Sequence, residues 1–129
     1  MAPKPLKALP TLIAALEELR ALDEVMPIQQ AHALLVIAKR PGLTMQELSD
    51  ETGLAQSSCS RNVAALSEWH RYGKPGLDLV ASEDDPRERR RKVMWLTPKG
   101  RTVVGKLMAH LGDDSAPQPF DRRDLFRLT

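Results

Sequence analysis

Apolar residues recur along the chain at two periods, and the change of period marks where helices give way to strands. Leu12, Leu16, Leu19, Leu22 and Met26 fall on one stripe at helical spacing, with Leu9 and Ile13 beside it; Glu17, Glu18, Arg20 and Asp23 take the opposite face. With Thr11 as its cap, this predicts a first helix over 12–26 that Pro27 stops. The run Ala33-Leu34-Leu35-Val36-Ile37-Ala38 is apolar all round and predicts a second helix over 28–39, buried on most sides and ended by Pro41-Gly42. Thr44-Met45-Gln46-Glu47 has the form of a capping box and opens a short helix over 45–51, which Gly53 breaks. Cys59, Val63 and Leu66, spaced i, i+4, i+7, place a fourth helix over 56–70. Two short helices joined through a glycine-containing turn are the mark of a helix-turn-helix.

After Trp69 the period shortens to two. Following the turn chemistry of His70-Arg71-Tyr72-Gly73-Lys74-Pro75-Gly76, Leu77–Ser82 reads as a strand and Glu83-Asp84-Asp85-Pro86 as a polar turn. Arg91–Leu96 is the returning strand, with Met94 and Leu96 on one face and Val93 and Trp95 on the other. Thr97-Pro98 then opens a last helix with apolar positions Val103, Val104, Leu107 and Leu111, ended by Gly112. The predicted fold is mainly α with a small β-hairpin, a winged helix-turn-helix. One domain spans 1–112, with the helix-turn-helix at 44–70, the wing at 77–96 and flanking helices at 11–26 and 97–111; the Leu stripe of the first is either core or a dimer surface. The tail 113–129 begins polar and proline-broken, and its Pro119-Phe120 and Leu125-Phe126 pairs are candidates to dock on a partner surface.

Composition sharpens this. A length of 129 residues suits one domain, and 4% aromatic residues leave a core of Leu, Val, Ile, Ala and Met. No apolar run approaches the ~20 residues that span a bilayer. The opening Met1-Ala2-Pro3-Lys4-Pro5 starts no signal peptide, because Pro10 interrupts the apolar stretch behind it and Glu17 and Glu18 close that stretch. One cysteine forms no internal disulfide, which suits a cytoplasmic setting, and its inward position makes Cys59 a small core residue rather than a reactive thiol. His32, His70 and His110 are scattered, so no metal site is expected, nor any cofactor. Ser57, Ser58 and Ser60 lack a His/Asp arrangement, and Gly73-Lys74-Pro75-Gly76 lacks the pattern of a phosphate loop; an enzyme is not expected.

The net charge of +2 is unevenly spread. Residues 86–92 hold five bases and one acid, a basic segment that lies in the predicted wing and points to a polyanion. On the fourth helix the inward face leaves Ser57, Ser60, Arg61 and Ala64 outward, with Gln56 near the N-terminal end. Short polar side chains, Gln and Arg read base edges in the major groove, and the serine-rich helix start, Ser58 included, can donate to phosphates. In the wing, Arg87, Arg89, Arg90 and Arg91 can meet a minor groove or a phosphate backbone. Strand alternation sends Arg89 and Arg91 to one side and Arg90 and Lys92 to the other, and one arginine is expected to pair with Asp85 or Glu88 and stiffen the turn.

Two stretches resemble the MarR family of bacterial winged-helix regulators. Leu48-Ser49-Asp50-Glu51-Thr52-Gly53-Leu54-Ala55-Gln56-Ser57-Ser58-Cys59-Ser60-Arg61 is similar to the family's helix-turn-helix motif. Asp85-Pro86-Arg87-Glu88-Arg89-Arg90, followed after six residues by Thr97-Pro98-Lys99-Gly100, is similar to its wing. Glu88 stands where the family usually has Asp, and Asn62 where it is often apolar. The resemblance implies a transcription regulator that binds double-stranded DNA as a homodimer, with the flanking helices 11–26 and 97–111 as dimerisation helices, the tail 113–129 docking on the dimer partner, Glu88 as wing buttress and Arg89 or Arg90 as DNA contact. No residue indicates a small-molecule effector, and no membrane partner is expected. A plasmid or phage replication or maintenance factor would use the same elements, and a winged helix without DNA binding would be a protein-interaction module.

Overall fold

Pro10 decides where the chain first becomes helical. The computed structural model describes residues 3–68 and 73–127, and of Phe126 and Arg127 only the backbone. Helix α1 is Leu9–Leu22, with Pro10 in its first turn and Ala8 at the cap position without a side-chain cap bond. The helix therefore begins ahead of Thr11, because a proline's fixed φ suits the first turn and its missing N–H costs nothing there. It also ends before Met26: Asp23 is extended, and its carboxylate accepts the Val25 N–H at 3.2 Å. Helix α2, Ile28–Lys39, has the expected bounds, and its Ala33, Leu34 and Ile37 are fully buried.

Helix α3 is Met45–Thr52, and both bonds of its capping box are present. The Glu47 N–H donates to Thr44 Oγ1 at 3.1 Å, and the Thr44 N–H donates to Glu47 Oε1 at 2.9 Å. Gly53 ends it at φ +76°, the left-handed conformation that favours glycine. Helix α4, Gln56–Leu66, buries Cys59, Val63 and Leu66 against the core as expected, but is shorter than 56–70. Its last carbonyls are taken by the returning chain: the N–H groups of Leu77, Asp78 and Leu79 donate to Ala65, Ser67 and Leu66 oxygens at 3.1, 3.1 and 2.7 Å. The expected helical extension to His70 and the turn at His70-Arg71-Tyr72 lie outside the described residues, as does the side chain of Phe126.

Strands β1 (Leu43–Thr44), β2 (Val80–Asp85) and β3 (Glu88–Leu96) form an antiparallel sheet in the order β1-β3-β2. The two-residue β1, opposite Met94 and Val93, is too short to show a period in sequence. β2 begins later than expected and carries Glu83, Asp84 and Asp85, read from sequence as turn; the turn itself is at Pro86-Arg87. Likewise β3 starts at Glu88, so the basic run lies within a strand. Helix α5 is Pro98–His110, capped by Thr97 Oγ1, which accepts the Gly100 N–H at 3.0 Å. A Cβ at Gly100 would collide with the Leu79 carbonyl, so glycine lets α5 start close against the chain entering the wing. A short helix α6, Asp124–Arg127, follows in the tail.

The core lies between α2–α5 and one sheet face, around Leu34, Ile37, Leu48, Cys59, Leu66, Leu79, Met94 and Leu107. Helix α1 packs on α5 through its C-terminal half, where Leu19 is buried, and His110 Nε2 lies 3.3 Å from Glu18 Oε1. Among the described residues, no helix is long and apolar enough to cross a membrane.

Candidate nucleic-acid interface

The capping box that starts α3 and the bare start of α4 place two helix N-termini side by side. Ala55 offers α4 no side-chain cap, so the first amides of that helix keep their donors free. Gln46 on α3 and Gln56 on α4 meet through their side-chain amides, Gln56 Nε2 donating to Gln46 Oε1. Gln46 in turn donates to Asp50 Oδ1 at 2.8 Å, which fixes which way both amides face. Between these starts and β3 lies a groove of about 650 Å³, lined by Thr44, Met45, Gln46, Gln56, Ser57, Ser60, Arg90, Arg91 and Lys92. Of the expected reading residues, Gln56, Ser57 and Ser60 share this groove with the wing. Arg61 is exposed beside it and donates to Ser58 Oγ at 3.3 Å. Gln46 escaped sequence reasoning; its place in the solvent-facing first turn after a capping box is the signal that points to it.

The wing's arginines do not alternate as expected. Lys92 stands opposite Asp84 and Glu88 opposite Asp85, so no residue of β2 stands opposite Arg89, Arg90 or Arg91 in the ladder. The tip is a bulge made of three consecutive arginines, and a bulge re-aims its side chains out of the pleat.

Asp85 shapes that tip. Its carboxylate is fully buried and accepts the backbone N–H of Arg87 at 2.9 Å and the Arg87 Nε–H and Nη2–H at 3.1 Å each. Arg91 Nη2 approaches the same carboxylate at 3.3 Å. Of the two acids expected to stiffen the turn, Asp85 takes these bonds; Glu88 is exposed, and among the described residues its ion pair is with Arg91 Nε, at 3.6 Å. Asp85 wins because it sits at the strand end where backbone and side chain of Arg87 converge. The hydrogen bonds from Arg87 hold the Asp85 carboxyl below its ordinary value, against the opposing effect of burial. Arg87 and Arg91 are thus tied into the wing, and Lys92 lies 3.3 Å from Asp84. Among the described residues, Arg89 and Arg90 make no ion pair, which leaves their charge available to a ligand. Just past the end of α2, Arg40 joins that helix to α3 by pairing with Glu47 at 2.6 Å and Glu51 at 3.3 Å.

The tail is also placed differently from expectation. Phe120 packs against Trp95 of the same chain, with ring centroids 5.1 Å apart, and Leu125 is buried within the chain rather than held out for a partner. The physical reason is the sheet's outer face, which offers Trp95 an uncovered neighbourhood that the tail can reach.

A family model described as MarR family matches residues 26–69. No curated protein matches the chain in sequence. Among solved structures, S. aureus MepR in complex with DNA is similar with a TM-score of 0.67 at 18% identity, over 83% of this chain and 80% of that one. RV1404 from Mycobacterium tuberculosis has a TM-score of 0.60 at 24% identity, over 95% and 72%. The PcaV transcriptional regulator from Streptomyces coelicolor has 0.56 at 23% identity, over 82% and 73%. The family match takes in the helix-turn-helix, and the likeness to these structures is one of fold: the chain has a winged-helix fold similar to theirs.

Proposed function

We propose that this protein is a sequence-specific transcription regulator that binds double-stranded DNA as a homodimer in the cytoplasm and performs no catalysis. The observation that carries this reading is the groove shared by the start of α4 and the arginine bulge. A helix in the major groove reads base edges while basic groups beside it bind phosphate or the adjacent minor groove. In that arrangement Gln56, Ser57, Ser60 and Arg61 read bases. Ser58 and the free amides of α4 serve phosphates. Arg89 and Arg90 contact the backbone or minor groove, while Arg87 and Arg91, with Asp85 and Glu88, give the wing its shape. That MepR was solved on DNA and that PcaV is a transcriptional regulator supports the reading.

Dimerisation is supported by α1. Leu9, Leu12, Ile13 and Leu16 are exposed along its first half, and a groove of about 980 Å³ runs there beside Leu6. A contiguous apolar surface of this kind marks an interaction site. Helix-turn-helix dimers place two recognition helices one turn of DNA apart, so a two-fold partner on α1 and α5 gives the reading its symmetry.

The test is titration of the protein on duplex DNA selected from random sequence, repeated across ionic strengths. A palindromic preference with affinity that falls steeply as salt rises is expected, because phosphate contacts release counterions. Absence of binding at low salt, or binding indifferent to salt, overturns it.

A further inference from the structure

Residues 113–127 return across the wing. Gly112, at φ +80°, turns the chain at the end of α5, and the Asp113 N–H donates back to the Met108 carbonyl at 3.0 Å. Pro117 then passes over α5 at Gly105, where an added Cβ would stand 3.8 Å from the proline Cδ. Beyond it the tail meets all three strand regions. The Phe120 ring lies on Trp95 of β3, tilted by 30°, and against Gly42 at the entry to β1, where an added Cβ would stand 2.7 Å from the ring. Arg122 Nη2 lies 2.7 Å from Glu83 Oε1 on β2. Leu125 is 2% exposed, and Val93, on the Trp95 face of β3, is 0% exposed; neither belongs to the main core. The tail thus closes a second apolar layer on the side of the sheet away from the helices.

This layer has a mechanical consequence. A hairpin whose third strand is two residues long has little stability of its own and needs both faces covered. β3 carries Trp95 near one end and the arginine bulge near the other, so whatever fixes Trp95 also fixes the direction in which Arg89 and Arg90 leave the sheet. The Arg122–Glu83 pair is exposed and holds little by itself. The packing of Phe120 and Leu125 dominates, and the ion pair sets its register.

We propose that residues 117–125 are an intramolecular strap that sets the angle of the wing, with Phe120 as a positioning residue that acts on DNA through Trp95 and β3. This rests on the DNA-binding reading above, and its test separates the two. In the full-length chain, hydrogen exchange of residues 80–96 is compared before and after Phe120→Ala, and the same proteins are titrated on selected and on random duplex. Exchange is expected to quicken in β2 and β3 while α2 and α4 keep their protection. Affinity is expected to fall roughly three- to tenfold on both duplexes, the cost of ordering a loosened wing on binding, with sequence preference unchanged. Phe120→Leu, which stays apolar but gives up the ring contact with Trp95, should loosen the wing in the same sense and to a lesser degree; it decides the matter if Phe120→Ala unfolds the protein. Unchanged exchange in the folded variants, or quickened exchange with unchanged affinity, overturns the strap. If the unaltered chain binds no duplex, the DNA reading fails and the exchange comparison still decides whether the tail fixes the wing.

Discussion

Arg87 wraps Asp85 from two directions: its backbone N–H and its guanidinium donate to the same buried carboxylate, at 2.9 and 3.1 Å. Arg91 adds a third approach at 3.3 Å. Replacing that acceptor leaves two guanidiniums beside a neutral group at the base of the bulge. Asp85→Asn should cost roughly 1.5–3 kcal/mol in chemical denaturation, the range for hydrogen bonds to a charged partner. Glu88→Gln, at the exposed end of a 3.6 Å pair, should cost under about 1 kcal/mol. Equal losses would return the buttress to Glu88.

The same carboxyl makes stability depend on acid. Its folded value lies below the ordinary 3.8, chiefly through the hydrogen bonds from Arg87. The unfolded chain takes up the proton first as pH falls. The stabilisation is therefore complete above the unfolded value and is lost as pH drops through the folded one. Glu47, lowered first by the Thr44 backbone hydrogen bond, acts in the same direction. Thermal midpoints measured from about pH 6 down to about pH 2 should fall at the acid end, and Asp85→Asn should make that fall shallower without abolishing it.

How much of this is legible in the sequence depends on whether a signal is local. The capping box at Thr44, the cap at Thr97, the inward set Cys59, Val63 and Leu66, and the all-round apolar α2 arise from neighbouring residues, and the structure has them where the pattern places them. The features that escape depend on distant partners. β1 exists because Leu43 and Thr44 meet Met94 and Val93, fifty residues on. The end of α4 is set by carbonyls that bond to residues 77–79. The arginine bulge arises from a register shift that alternation within one strand cannot show. Phe120 reads in sequence as a residue held out for a partner because nothing near it announces Trp95.

Asn62 offers a stability test inside α4. It is 9% exposed, and its amide nitrogen has no hydrogen-bond partner among the described residues. A buried donor left unpaired carries its desolvation cost without return. Leucine has the same branched outline, so Asn62→Leu should raise stability by about 1 kcal/mol, read as a higher thermal midpoint. A lower midpoint would mean that the amide oxygen is held by the fold.

The exposed half of α1 can be tested by charge. Leu12 and Leu16 are 55% and 49% exposed and face away from the core. Placing a glutamate at either position puts a charge into the surface assigned to the two-fold partner, where an unpaired charge is costly. Sedimentation should give about twice the chain mass for the unaltered protein and the single mass for Leu12→Glu with Leu16→Glu, with helical content unchanged. A double variant that remains dimeric would move the interface elsewhere.

The two elements proposed to contact DNA should fail in different ways. Arg61 is exposed on α4 and, among the described residues, is tethered by one 3.3 Å bond to Ser58 Oγ, so its guanidinium can turn onto a guanine edge. Arg61→Ala should cost about 1–3 kcal/mol on the selected site and relax preference at one or two base pairs. Arg89 and Arg90 leave the sheet at the bulge with no ion pair among the described residues, and a phosphate is the partner such charges meet. Removing either should weaken selected and random duplex by similar factors and lower the salt slope by about one. Cys59→Ser is the control. Its sulfur is buried, with Thr52 Oγ1 3.8 Å away, so the variant should lose thermal stability and keep its base preference in the folded fraction. The decisive outcome is a reversal. If Arg61→Ala weakened all sequences equally while the wing variants changed base preference, α4 would be the anchor and the arginine bulge the reader.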